Sequence, residues 1–297
     1  MKRITIIVLS AVTFLLALGL TIYPVVSIYV NQKYASEIYF TYEEAVEQTD
    51  DLTLAQARLD ALRYNESIVP GALEADEAFS QEALEQAAGE YDQLLNIAGN
   101  GIMGYVEIPV ISVNLPIYHG TGTDSLERGV GHLLGSSLPV GGESTHAVLT
   151  GHSGMATSKM FTDLEQLAAG DVFYLHVLNE TLAYQVVEIN TVLPYDTSLL
   201  GIAPGEDLCT LVTCTPYGVN THRLLVRGSR IPYEEAEQLM EETASEEAAS
   251  STWEEKYLQG VILGIAAALV LILVIAIGAQ IYQSIAGSSG GNGHAKQ

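Results

Sequence analysis

A chain of 297 residues that carries 36 Asp and Glu against 12 Lys and Arg has a formal charge of −24. That balance excludes nucleic-acid binding, which needs a basic face, and the length suits one or two domains. Hydrophobic residues make up 48% of the chain, a share raised by two apolar runs near its ends.

The first run extends from Ile4 to about Val30 behind Lys2 and Arg3; the second, Gly260 to Ile281, holds no charge. Each has about 20 residues or more, enough for a helix to cross a hydrocarbon core of about 30 Å. The N-terminal run also has the basic start and apolar body of a signal peptide, but its length and the lack of a small-x-small cleavage site favour an uncleaved anchor. Lys2, Arg3 and Lys296 leave both termini in the cytoplasm by the positive-inside rule, against the weaker pull of Lys33 and Lys256. The expectation is a two-pass protein of the cell membrane with its central region outside the cell.

Six segments follow: an anchor or signal-anchor over 1–30, a helical region over 31–101, a β domain over 102–232, an acidic linker over 233–258, a second span over 259–283 and a short cytoplasmic tail over 284–297. Most of the acidic residues lie in Glu37–Glu90 and Tyr233–Glu255, the stretches beside the two spans. They read as solvated helices and a tether; no Asp-x-Asp-x-Asp-Gly run supports a divalent-cation site.

In the helical region Leu52, Leu54, Ala55, Leu59 and Leu62 recur at helical spacing, and Leu84, Ala87, Tyr91, Leu94 and Leu95 repeat the pattern. Tyr64 to Gly71 is a turn-rich break between them. From Ile102 to Ile231 the pattern changes to short β runs: Gly104–Ile108, Leu115–Tyr118, His146–Thr150, Asp171–Val177, Leu182–Ile189, Cys209–Cys214 and Arg223–Arg227. Short strands separated by Gly- and Pro-rich turns suggest a small closed barrel or a sandwich. One helix is expected among them, over Lys159–Leu167, with Gly170 as its stop.

Two cysteines in an outward-facing domain could form a disulfide, but Cys209 and Cys214 lie five residues apart on one β run. That spacing separates their Cα atoms by about 16 Å and points the side chains to opposite faces, whereas a disulfide spans at most about 7 Å. Both thiols are therefore expected to be free. The run ending at Cys214 and the run starting at Arg223 are joined by a turn-rich loop, so a hairpin brings those ends together, and His152 closes its own strand at Gly151. A thiol, an imidazole and a guanidinium are the groups that acyl transfer through a thioester requires.

The remaining candidates have plainer readings. Cys209 suits a core position. His119, His132, His146 and His176 suit local hydrogen bonds, His222 flanks the site, and His294 lies in the tail. Arg227 and Arg230 read as surface charge. No Cys-x2-Cys or His-x3-His spacing points to zinc, and no cofactor motif occurs.

The run from Thr210 to Gly228, Thr-Leu-Val-Thr-Cys-Thr-Pro-Tyr-Gly-Val-Asn-Thr-His-Arg-Leu-Leu-Val-Arg-Gly, resembles the signature of class C, pilus-assembling sortases of Gram-positive bacteria. Gly104–Pro109, Leu115–Thr121, Gly129–Leu133, Ser137–Gly142, Leu149–Gly154 and Leu167–Pro194 extend the resemblance over about Met103 to Ile231. It implies a mainly β fold, an eight-stranded sortase barrel with N-terminal helices and a transmembrane helix at each end. It also implies a cysteine transpeptidase that cleaves the Thr–Gly bond of a Leu-Pro-x-Thr-Gly-like sorting signal through a thioester. The acyl group then passes to a Lys amine of the next pilin as an isopeptide bond. By residue match Cys214 is the nucleophile, His152 the proton donor and acceptor, and Arg223 the donor to the oxyanion or the substrate backbone. The partners implied are pilins or surface proteins bearing that signal, the acceptor Lys and the membrane.

From reference pKa values of about 8.5 for Cys and 6.5 for His, the thiolate–imidazolium form is only about 1% of the neutral pair, and a charged Arg223 nearby raises that fraction. One departure concerns the lid. Related sequences carry Asp-Pro-aromatic between the N-terminal helices and the barrel; here the stretch reads Glu74-Ala-Asp76-Glu-Ala-Phe79-Ser. Asp76 and Phe79 are either lid and anchor or the start of the second helix. Alternative functions are a housekeeping sortase that joins proteins to peptidoglycan, a hydrolytic cysteine peptidase, and a non-enzymatic membrane-anchored scaffold.

Overall fold

The computed structural model describes residues 12–23, 26–27, 40–68, 90–153, 159–247 and 257–272, with 242–247 described as backbone alone. The expected lid residues Asp76 and Phe79, the tail with His294 and the outer ends of both apolar runs lie outside these residues. The chain divides into two compact units, residues 1–241 and 242–297.

In the first unit eight strands close into a barrel: β1 (Ile102–Ile108), β2 (Val113–His119), β3 (Val130–His132), β4 (Thr145–Thr150), β5 (Val172–Val177), β6 (Glu180–Val192), β7 (Asp207–Thr215) and β8 (His222–Ile231). Their order around the barrel is β1-β2-β3-β4-β7-β8-β6-β5. β2–β3 and β4–β7 run parallel, and the other pairs are antiparallel. Closure leaves no free sheet edge. The barrel is filled by the interior-facing residues of each strand, among them Tyr105, Ile117, Leu149, Phe173, Tyr184, Cys209, Leu211 and Val226, all buried in one apolar cluster.

Helix α1 (Asp51–Ser67) begins where Asp50 caps it: the Asp50 carboxylate accepts from Thr53 N at 3.1 Å and from the Thr53 hydroxyl at 2.7 Å. Such a cap contributes about 1 kcal/mol. Its buried positions, Leu54, Ala61 and Asn65, fall on one face. Asn65 acts there as a substitute peptide group, donating to Leu138 O at 3.1 Å and accepting from Leu138 N at 2.7 Å. Residues 40–47 are also helical, and the Tyr42 hydroxyl donates to Met103 O on β1 at 2.9 Å.

The helix expected over Lys159–Leu167 is not α-helical: a turn over residues 160–163 leads into a 3-10 turn over Leu164–Gln166. The backbone gives the reason at its start, where Met160 takes φ 42° and so leaves the right-handed helical region. Besides a 3-10 turn over Pro109–Ile111, two elements go beyond the expected pattern. Helix α2 (Thr123–Arg128) is a short α-helix, and β3 is only three residues long with Gly131 at its centre. A Cβ at Gly131 would lie 2.3 Å from Gly120 O, so this strand is defined by close backbone approach rather than by a β-branched run.

The segment expected as an acidic linker is helical over Tyr233–Glu247, here α3. Ala236 is fully buried against Val172, Tyr174 and Ala183, with Leu239 and Met240 beside it. Three small or apolar side chains at helical spacing, Ala236, Leu239 and Met240, are enough to seat its first turns on β5 and β6. In the second unit residues 257–272 are helical, as are residues 12–23 in the first. Among the described residues no helix is long and apolar enough to cross a membrane.

Candidate active site

β4 and β7 pair in parallel from Thr145↔Asp207 to Thr150↔Val212. The ladder continues past the end of β4: Gly151 N donates to Val212 O at 2.9 Å, and the Thr213 hydroxyl donates to Gly151 O at 2.8 Å. Extended by two residues, this register brings His152 level with Cys214. On the other side of β7 the antiparallel register sets Cys214 directly opposite Arg223. Neighbouring strands lie about 4.8 Å apart, so imidazole, thiol and guanidinium spring from one rung of three adjacent chain segments.

Strand parity decides which way they face. Cys209, Leu211, Leu224 and Val226 belong to the barrel interior. Val212 and Leu225 face outward, into a second apolar cluster with Val148 and Leu200. Cys214 and Arg223 share the parity of Val212 and Leu225 and so belong to that outer face. Cys209 is fully buried, Cys214 half-buried, and both are free thiols, as the spacing required. Burial, with the Asp207 charge adding to it, pushes the Cys209 thiol well above its ordinary pKa, so Cys209 is inert at neutral pH.

The backbone around His152 is held from both sides. The Ser153 hydroxyl donates to Cys214 O at 2.6 Å, and Phe161 N donates to His152 O at 3.0 Å. Gly151 is required by close approach: a Cβ there would lie 2.7 Å from the Phe161 ring and 3.1 Å from Val130. The Arg223 guanidinium folds back over the β7–β8 turn, donating to Asn220 O at 3.3 Å and His222 O at 3.0 Å. A small cleft opens beside Cys214, lined by Ser153, Thr162, Glu165, Tyr217 and Leu224 among others, with room for about one water (10 Å³). Among the described residues no group of three His, Cys, Asp or Glu side chains could hold a metal ion.

Two residues read as ordinary in the sequence turn out to hold the β6–β7 loop, residues 193–206. His146 donates through Nδ1 to Gly201 O at 2.8 Å and accepts at Nε2 from the Thr210 hydroxyl at 2.7 Å; the carbonyl partner fixes this tautomer. Arg227 donates to Leu199 O and pairs with Glu188. Between these two grips Leu200 is buried against Val148, Val212 and Leu225. The outward parity that Arg227 shares with Arg223 was the available signal, because it puts both on the face that carries the site.

His132 is held in a comparable way: Nε2 donates to Ser137 O at 2.8 Å and Nδ1 accepts from the Tyr91 hydroxyl at 2.8 Å. Desolvation lowers both His132 and His146 to a pKa of about 4, against the partial support of their carbonyl partners. His119 places its ring nitrogens at Gly101 O and Leu94 O, 3.0 and 2.7 Å away, and His176 meets Glu107 at 2.8 Å. His222 precedes Arg223 and contacts the Thr221 hydroxyl at 3.0 Å. Arg230 lies over the Tyr184 ring, 5.6 Å from its centre.

Comparison with known proteins gives one consistent answer. Residues 106–231 match the family described as the sortase domain. Over 161 residues the chain is 30% identical to sortase A of Streptococcus agalactiae, a match covering 53% of this chain and 62% of that relative. Among solved structures it is similar to sortase C1 of Streptococcus agalactiae, with TM-score 0.60, 42% identity and coverage of 66% of this chain and 98% of the other. Sortase C of Streptococcus pneumoniae, studied for its pilin substrate specificity, gives TM-score 0.57 and 43% identity, covering 66% and 97%. With a structural relative above 40% identity matched over nearly its whole length, the chain belongs to the sortase family, whose members are cysteine transpeptidases.

Proposed function

We propose that this protein is a class C sortase that joins pilin subunits by transpeptidation. The observation that carries the reading is the single rung shared by His152, Cys214 and Arg223 in a barrel similar to sortase C structures at 42 and 43% identity.

The chemistry follows from those groups. The Cys214 thiolate attacks the carbonyl carbon of Thr in a Leu-Pro-x-Thr-Gly-like signal; a C–S bond forms, and the carbonyl electron pair moves to oxygen. Arg223 donates to that oxyanion. As the tetrahedral species collapses, the Thr–Gly C–N bond breaks and His152 gives its proton to the departing Gly amine. A neutral Lys amine of the next pilin then attacks the thioester. The C–N isopeptide bond forms, the C–S bond breaks, and the amine proton passes to His152 while Cys214 leaves as thiolate.

The same proposal includes a membrane location with the barrel outside the cell. Its support is the apolar surface of residues 12–23 and 257–272, where Leu15, Leu16, Leu20, Leu263 and Leu269 are all exposed, a surface suited to lipid rather than water. Asp76 and Phe79 are assigned to a lid over Cys214 on the strength of their place in the chain.

Acceptor identity tests the reaction. Incubation of the protein with a pilin bearing a sorting signal is expected to give high-mass ladders linked through Lys. Single products on a peptidoglycan peptide, without ladders, would instead assign it to surface-protein anchoring.

A further inference from the structure

We infer that Glu165 is the acceptor-recognition residue of this enzyme: its carboxylate draws a primary ammonium group into the cleft beside Cys214. The inference rests on the transpeptidase reading and names which half of that reaction the residue serves.

Four observations lead to it. Glu165 lines the cleft that contains Cys214. It stands on the 3-10 turn Leu164–Gln166, which is anchored below by the fully buried Phe161 and Leu164, so the carboxylate projects from a fixed base. The other charges of this connection are already engaged: Lys159 pairs with Asp163 at 3.1 Å and donates to Ile111 O at 2.6 Å. Glu165 itself makes no ion pair within 4.0 Å among the described residues. An exposed carboxylate beside the nucleophile of an acyl transfer is unfavourable to the donor half, since it opposes the thiolate and the oxyanion. It favours a cation.

The acceptor is that cation. A Lys amine has an ordinary pKa near 10.4 and arrives protonated at neutral pH. Its three N–H donors match the oxygen-rich wall of the cleft, where Ser153, Thr162 and Thr215 accompany Glu165. The chain's net charge of −24 steers a cation toward the protein and repels an acidic one. Glu165 thus raises the local concentration of ammonium at the thioester; the ammonium gives its first proton to solvent, and the neutral amine then attacks while His152 takes the second. Being exposed, it supplies a modest and salt-sensitive preference.

The test measures partition of one thioester between water and competing amines. Full-length protein is acylated with a fluorogenic sorting-signal peptide, the Cys214 adduct is checked by mass spectrometry, and aminolysis relative to hydrolysis is then measured. The amines are a lysine peptide blocked at its α-amine, triglycine, and hydroxylamine, which is neutral at pH 7. For Glu165→Gln the partition toward the lysine peptide should fall about fivefold and lose its dependence on salt. The hydroxylamine partition should change less than twofold, and Glu165→Asp should recover part of the loss. A matching fall with triglycine extends the recognition to α-amines; a fall confined to lysine restricts it to ε-amines, and both support the inference. Equal losses with hydroxylamine, or no loss with either cation, would overturn it. Failure of the unsubstituted protein to form the thioester at all would instead overturn the transpeptidase reading beneath it.

Discussion

Cys209 and Cys214 leave the same strand five residues apart and enter opposite environments. One is sealed in the barrel with its thiol pushed up by burial, and the other is half-buried beside a cleft. Cys214→Ala should abolish thioester formation, whereas Cys209→Ala should keep it and lose about 1 kcal/mol of stability for the small void it leaves. Retained activity in Cys214→Ala, read by release of the leaving peptide, would remove Cys214 from the nucleophile role. Arg223→Ala should slow thioester formation about a hundredfold; an unchanged rate would deny Arg223 the role of oxyanion donor. These residues were legible in the sequence because thiol, imidazole and guanidinium groups are rare and each sits at a strand end. Glu165, Thr210 and Arg227 were not, because a carboxylate, a hydroxyl or a surface Arg acquires its role only from what the fold sets beside it.

At the scale of elements, the β6–β7 loop is held by side chains of β4, β7 and β8 through His146, Thr210 and Arg227. Thr210→Val leaves the His146 ring with one buried nitrogen lacking its donor. That change should cost about 1–3 kcal/mol and speed amide exchange across residues 193–206; exchange confined to its original rate would mean that the loop is held without this bond. Gly151→Ala pushes a methyl into Phe161 and Val130, and so should shift the backbone of His152 and lower kcat by about tenfold or more. Strand positions emerged well from apolar patterning, because seven of the eight strands contain apolar or β-branched runs. The exceptions have physical causes. β3 is a glycine strand set by close packing, and Lys159–Leu167 has charges and leucines that imitate an α-helix while the positive φ of Met160 interrupts right-handed helical backbone.

At the scale of the whole molecule, His132 and His146 make the fold sensitive to acid. Both have pKa values of about 4 in the folded state against about 6.5 unfolded, so the unfolded chain binds more protons between those limits. Stability is fully present above pH 6.5 and is lost as pH falls toward 4. At about 1.4 kcal/mol per decade of proton concentration, the loss is on the order of 3 kcal/mol for each histidine. Urea unfolding at pH 7.5, 6 and 5 should show a falling free energy, and a flat profile over that range would contradict the burial argument. Strand count and turn spacing left a closed barrel and a sandwich both open, and the eight-stranded barrel came from the resemblance; closure depends on the two parallel pairings, β2–β3 and β4–β7, which local patterning does not encode. The β4–β7 pairing is also what carries His152 to Cys214, and the central claim rests on it. The most direct measurement is intact-mass analysis after brief exposure to a Leu-Pro-x-Thr-Gly peptide, followed by mapping of the modified residue. An added acyl mass is expected on Cys214, released by hydroxylamine and absent in Cys214→Ala; no adduct, or an adduct on any other residue, would contradict the assignment of Cys214 as the nucleophile.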